Sequence, residues 1–307
     1  MPQMRIGLAV PQYGAFATPE AIVEVARAAE SLGFDSLWAA DRILAPHEPS
    51  DPYPGGDGTM PEQYRTFLDP LTVLTLAAGV TTRVRLGTST LNALWHTPVL
   101  LTRTLTSLDV VSHGRLDVGL GIGWLRDEYR AAGVPWEGRG ARLEEWLDVA
   151  EAIWTRETVR HEGERWTIPP SAIEPKPVQR PHPPVLLGGF SPSALERIGR
   201  RADGWLAVGL PLPALTAMWN TIRLAADAAG RDASALRMVL RVNPRLTQDE
   251  APAELVPDTG TIDQIADYLL SSAEAGADEV LIDLQQTTTT TDELLTTAET
   301  LIKRLRA

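Results

Sequence analysis

Three glycines alternate with apolar residues in GLGIGW, residues 119–124, directly after a run with strand character. Glycines so placed can open a dinucleotide-binding turn, let a flat ligand approach the end of a strand, or let two strands pack closely. A dinucleotide fingerprint requires G-x-G-x-x-G at the start of a helix. Here Gly119, Gly121 and Gly123 are spaced G-x-G-x-G, with Trp124 where the last glycine should fall, so that reading fails. Ligand approach and plain packing both stay open. A second glycine pair, Gly188-Gly189, precedes Ser191-Pro192, which has the form of a helix N-cap followed by a first-turn proline. Free backbone N–H groups and the positive end of a helix would make an anion site there. The plainer alternative is a turn capped by Ser191.

The titratable side chains are sparse where chemistry would want them. His47, His96, His113, His161 and His182 show no i, i+4 pairing, so no metal site is expected. The chain has no cysteine, which removes thiolate metal sites, disulfides and a cysteine nucleophile. His96 stands just before a Thr97-Pro98 helix start, and its reference pKa of about 6.5 suits proton donation to a substrate; a rim position with no role is the alternative. Glu144, Glu145, Asp148 and Glu151 share their segment with Leu143, Leu147 and Ile153, which reads as a solvated helix face opposite a buried one.

What positions these residues is an alternation of strand-like and helix-like segments. Strands are expected at Arg5–Val10, Asp35–Ala40, Val84–Thr90, Arg115–Leu120, Pro184–Gly188, Gly204–Val208, Arg237–Asn243 and Glu279–Leu284. Helix starts are marked by Thr18-Pro19, Thr97-Pro98 and Ser191-Pro192, and by the capping-box spacings Thr261/Gln264 and Thr290/Glu293. Gly33 and Gly114 fall where left-handed helix ends belong. Eight strand–helix pairs in 307 residues predict an α/β fold, a closed (β/α)8 TIM barrel in one domain spanning 1–307, with a doubly wound open sheet as competitor.

Two segments exceed a minimal barrel. Residues 42–64, rich in Pro, Gly and Asp, are expected to form a lid or specificity loop. Residues 134–183, between the fourth and fifth strands, should hold an extra helix at Arg142–Arg156, a hairpin turning at HEGER and an extended proline-rich return. Tyr13, Tyr53, Tyr64, Trp95 and Trp124 are expected to shape a substrate pocket, and Trp38 to pack between barrel and helices.

A net charge of −12 argues against a nucleic-acid groove. No apolar run is long enough to span a membrane. The N-terminus carries no apolar leader, so a cytoplasmic location is expected.

The segments GFDSLWAADR, VRLGTSTL, HTPVLLTRTLTSLDVVSHGRLDVGLGIGW, ARLEEWLDVAEAIW, KPVQRPHPPVLLGG and SPSALERIGRRADGW resemble, in order and spacing, the bacterial luciferase-like superfamily. They are most similar to its deazaflavin (coenzyme F420)-dependent oxidoreductase branch. The resemblance runs from the first strand to about Trp205. It implies a barrel, often dimeric, with a flavin or deazaflavin at the C-terminal ends of the strands. Asp41 then lies beside the cofactor ring, and Ser89-Thr90 matches a site where the family often has a non-proline cis peptide behind the ring. Gly123, Trp124 and Asp127 match positions lining the pocket floor and the ribityl chain, and Gly188, Gly189 and Ser191 the phosphate turn.

One residue departs from the pattern. Members that oxidise alcohols commonly carry His after the strand 2 Asp, where this chain has Arg42. Arginine keeps its proton and has no acceptor, so it orients or neutralises an anion and cannot act as a general base. The resemblance then implies hydride transfer from reduced F420 to a small electron-poor substrate. The alternative within the family is an FMN-dependent monooxygenase served by a separate reductase. A cofactor-binding protein without catalysis is a further alternative. A barrel lyase or hydrolase would need a Schiff-base Lys or a metal cluster at the strand ends, and neither is found.

Overall fold

The computed structural model describes residues 4–307. Eight strands form a closed parallel barrel: β1 (Arg5–Ala9), β2 (Ser36–Ala39), β3 (Arg85–Thr88), β5 (Leu116–Gly121), β8 (Val185–Gly188), β9 (Gly204–Val208), β10 (Arg237–Val242) and β13 (Glu279–Ile282). Neighbours run β3-β2-β1-β13-β10-β9-β8-β5, and the pairing of Leu86 with Leu116 and Gly87 with Asp117 returns β5 to β3. Closure decides between the barrel and the open sheet. A two-residue extension, β4 (Leu91–Asn92), continues beside the end of β5, and outside the barrel β11 (Arg245–Leu246) pairs with β12 (Thr259–Gly260).

Trp38 corrects one expectation. Its ring points into the barrel, in a cluster with Ala9, Leu186, Leu206, Val239 and Leu281, rather than outward toward the helices. Its strand neighbours make room for it: a Cβ at Gly87 would lie 2.2 Å from the indole, and one at Gly7 2.9 Å from its Nε1. Below it, at the strand starts, Trp38 Nε1 donates to Ser36 Oγ at 2.7 Å and to the buried Glu279 carboxylate at 3.0 Å. Asp117, fully buried beside them, is bracketed by Arg85 and Arg237, each at 2.7 Å. Burial alone would raise its carboxyl, but the two guanidinium groups hold it below the ordinary range. These ion pairs lie at the N-terminal end of the strands, opposite the end where active sites sit in this fold.

Helices cover the outside: α1 (Pro19–Leu32), α2 (Pro70–Val80), α3 (Pro98–Val111), α4 (Arg126–Ala131), α5 (Arg139–Thr155), α6 (Pro192–Arg201), α7 (Leu212–Ala228), α8 (Ile262–Glu274) and α9 (Thr291–Arg306). Thr18 and Ser191 cap α1 and α6, and Thr261 with Gln264 forms a full capping box on α8. Thr97 makes no capping bond, so Pro98 alone marks the start of α3. At α9 Thr290 caps Glu293 N, while Glu293 reaches back to Thr289 N at 2.7 Å, one residue earlier than a capping box requires. Gly33 and Gly114 adopt the left-handed conformation, at φ 90° and 78°.

The 134–183 insertion holds α5, which begins three residues before its expected start, and the hairpin β6 (Val159–Glu162) with β7 (Thr167–Ser171), turning where HEGER predicts. No helix is long and apolar enough to cross a membrane among the described residues.

Candidate active site

At the C-terminal ends of the strands lies a cleft of about 650 Å³, lined by residues following β2, β3, β5, β9 and β10 and by the 42–64 loop. Asp41 follows β2 by two residues. Its Oδ2 accepts the Asn92 N–H at 2.9 Å, joining the end of β2 to β4. Burial pushes its carboxyl up to about 7; the Asn92 N–H opposes this, Glu128 and Asp69 add to it, and Arg42 works against it.

Arg42 is 7% exposed at its side chain and sits among aromatic rings. Its guanidinium carbon is 5.0 Å from the Tyr64 centroid and 5.2 Å from that of Trp124. Tyr53 meets both rings edge-on at 5.8 Å, so the loop and the end of β5 form one aromatic wall. Tyr64 is held by Gln286 Nε2 at 3.0 Å, and Tyr53 and Tyr64 share a hydroxyl contact at 3.3 Å. Burial raises the Tyr64 phenol far above its ordinary pKa, so it keeps its proton.

The floor is a polar network. Arg241 donates from Nη2 to Asp283 at 2.6 Å, from Nε to Asn243 at 2.9 Å, and from Nη1 to the Ser89 carbonyl. Tyr13, 1% exposed, donates its hydroxyl to the same Asp283 oxygen at 3.1 Å and stacks on Phe67. The Ser89–Thr90 peptide bond is cis, as the resemblance implies.

Helix α4 clamps the 42–64 loop with three successive residues. Arg126 pairs with Asp51 at 2.6 Å, Asp127 accepts Ser50 N and Oγ at 2.7 and 2.8 Å, and Glu128 accepts Ile43 N at 3.1 Å. The loop lies against the cleft with Tyr53–Asp57, Thr59 and Tyr64 among its lining.

A family model described as luciferase-like monooxygenase matches residues 4–301. The chain belongs to the luciferase-like monooxygenase family. An uncharacterized protein of Mycobacterium tuberculosis, Rv0953c, is 36% identical over 228 residues, covering 71% of this chain and 78% of that one. The FMNH(2)-dependent dimethylsulfone monooxygenase of Pseudomonas putida is 32% identical over 161 residues, 52% of this chain and 44% of that enzyme. Among solved structures, the monooxygenase RslO1 from Streptomyces bottropensis superposes with a TM-score of 0.82 at 23% identity, covering 99% of each chain. The coenzyme F420 dependent tetrahydromethanopterin reductase from Methanopyrus kandleri gives 0.76 at 18% identity, again covering 99% of each chain.

Of the residues singled out from sequence, this luciferase-like cleft gathers Asp41, Arg42, Tyr53, Tyr64, Ser89, Thr90, Trp95, Gly123 and Trp124. Tyr13 lies beneath it as a support for Asp283. Two fall elsewhere. His96 faces an outer groove between α2 and α3, with Asp69, Thr72 and Leu100, and is not part of the cleft lining. Asp127 turns to Ser50 and Arg130 and serves the loop.

Gly188, Gly189 and Ser191 are not part of the cleft lining, and of the three Gly188 stands beside it, where an added Cβ would be 3.1 Å from Thr90 Cγ2. At Gly189 a Cβ would lie 2.6 Å from that of Ala194, so the packing of α6 on the turn is one reason for glycine there. The GLGIGW glycines divide likewise. Added Cβ atoms on Gly119 and Gly121 would strike Thr88 O at 1.8 Å and Thr90 Oγ1 at 2.5 Å, whereas Gly123, at φ 63°, opens onto the cleft.

Sequence reading missed Glu128, Arg241 and Asp283. The signal for the last two was available: charged residues at the C-terminal end of barrel strands.

Proposed function

We propose that the protein is an F420-dependent oxidoreductase that passes a hydride to a small, electron-poor organic acceptor. Asp41 carries this reading. A carboxyl with its pKa pushed up to about 7 still holds a proton near neutrality and can deliver it to a substrate that has received a hydride. Among the described residues no histidine lines the cleft, and Arg42 cannot accept a proton, which speaks against alcohol oxidation.

The residues present fit such a cofactor. The cleft, about 650 Å³, falls in the usual range of small-molecule sites, and its walls are aromatic. Ser89, Thr90, Gly123 and Trp124 would hold the ring system. The N–H groups before α6, at Gly189 and Ser191, would take the phosphate. When bound, the reduced deazaflavin supplies the hydride. The chain's own part is to support the ring on the Ser89–Thr90 segment, to exclude water with residues 42–64, and to keep a proton on Asp41.

FMN-dependent monooxygenation with a partner reductase is the second reading, favoured by the identity to the dimethylsulfone enzyme. Fluorescence titration of the protein with F420 and separately with FMN distinguishes them. Binding of F420 without FMN, followed by acceptor-dependent oxidation of reduced F420, supports hydride transfer. Preference for FMN moves the protein to the second reading. F420 binding with no turnover against a panel of electron-poor acceptors points to a binding protein.

A further inference from the structure

Two half-buried arginines line the cleft, and the chain treats them differently. All three nitrogens of Arg241 have an acceptor, in Asn243, Ser89 and Asp283. Arg42 offers five N–H groups, yet among the described residues its single acceptor is Glu128 Oε1, 3.5 Å from Nη1 and at the limit of a hydrogen bond. That oxygen already accepts Ile43 N at 3.1 Å, so Glu128 serves the loop backbone first. Contacts to the Tyr64 and Trp124 rings use the guanidinium's charge and leave its N–H groups open. The side chain is only 7% exposed, and Arg42 lines the cleft, so its open donors are available to a ligand there.

The geometry points to Arg42 as the anchor for a carboxylate of the substrate, whose apolar body lies against Tyr53, Phe67 and Trp124. Arginine's fork suits bidentate binding of such a group, and lysine's point charge does not. Glu128, the nearest fixed negative charge, competes with the ligand. The assignment rests on reading this cleft as the catalytic one, and it names the substrate class for that site.

Isothermal titration of the protein with trans-cinnamate and with trans-cinnamamide, which has the same shape without the charge, tests it. The titrations are run with and without oxidised F420 or FMN. Cinnamate is expected to bind at least ~10-fold more tightly than the amide, the scale of a charge-assisted hydrogen bond. Arg42→Met should erase that preference, Arg42→Lys keep part of it, and Glu128→Gln, which retains an acceptor for Ile43 N, should strengthen it. Equal affinity for acid and amide in the wild type, or no cinnamate binding at millimolar concentration, overturns the proposal. Cinnamate competing with the cofactor would give Arg42 to the cofactor and also overturn it. Should Arg42→Met fail to fold by circular dichroism, Glu128→Gln decides, and an unchanged preference there is a negative result. Failure of both cofactors to bind would count against the functional reading instead, since the cinnamate preference is measured independently of them.

Discussion

Arg241 and Asp283 form a 2.6 Å ion pair beneath the cleft, joining the ends of two adjacent barrel strands, and through Arg241 the pair fixes the Ser89 carbonyl. Asp283 is 1% exposed and also receives the Tyr13 hydroxyl and the Gln285 amide. Removing one partner of such a pair leaves the other charged and buried, which costs about 3–5 kcal/mol. Asp283→Asn should therefore lower the free energy of unfolding by that order in urea titration. Arg241→Met with Asp283→Leu should recover most of the loss while leaving the Ser89 carbonyl without its donor. A single Asn variant as stable as wild type would show that the pair is not desolvated.

Asp41 gives a pH signature. Its carboxyl is pushed up to about 7 from an ordinary value of 3.8, so the folded protein binds this proton more tightly than the unfolded chain. The contribution is fully present below about pH 3.8 and is lost as pH rises toward 7, with a slope of up to about 1.4 kcal/mol per pH unit. The groups acting on it are Glu128, Asp69 and Arg42, with the Asn92 N–H donating. Asp41→Asn cannot titrate. The stability difference between Asn variant and wild type should grow in the variant's favour from pH 4 to 7 and level off above. A difference independent of pH would mean an ordinary carboxylate at this position.

The barrel was legible because strand and helix periods alternate along the whole chain and glycines and prolines mark the joints. The inward turn of Trp38 was not, because one indole in an apolar strand gives no hint of which face it takes. Gly7 and Gly87 become informative only once the register places them beside it. In the site, Asp41, Arg42 and Trp124 line the cleft, while Asp127 turns to the 42–64 loop and its neighbour Glu128 faces Arg42. Successive helical residues point about 100° apart, so Asp127 meets Ser50 and Glu128 meets Ile43 and Arg42. His96 is only four residues from Asn92, but the short 3₁₀ turn of Ala93–Trp95 carries it away to the outer groove.

The clamp on the 42–64 loop gives a third prediction. Asp127 holds Ser50 by two hydrogen bonds on a partly exposed surface, so its loss should have little effect on global stability. Asp127→Ala should melt within a few degrees of wild type yet be cut faster in residues 42–64 by a nonspecific protease. If Asp127 instead touched the cofactor, cofactor affinity would fall with no change in cleavage rate.

Gly119 separates packing from ligand approach. A Cβ there would lie 1.8 Å from the Thr88 carbonyl and 2.5 Å from Leu206, with no side-chain freedom on the Thr88 side to absorb it. Thr88 Oγ1 also bonds both the N–H and the carbonyl of Gly119, at 3.0 and 2.7 Å, so β3 and β5 cannot part without breaking two buried bonds. Gly119→Ala should destabilise the fold by roughly 1–3 kcal/mol or more, as overpacking does. Gly123 stands at the cleft with Asn92 Nδ2, a side-chain end, as its nearest obstacle, 2.6 Å from an added Cβ. Gly123→Ala carries the left-handed strain of φ 63°, about 1 kcal/mol, and should act chiefly on ligand affinity. Thermal melting and cofactor titration of the two variants side by side would show the split; equal stability losses would place Gly123 with the packing glycines.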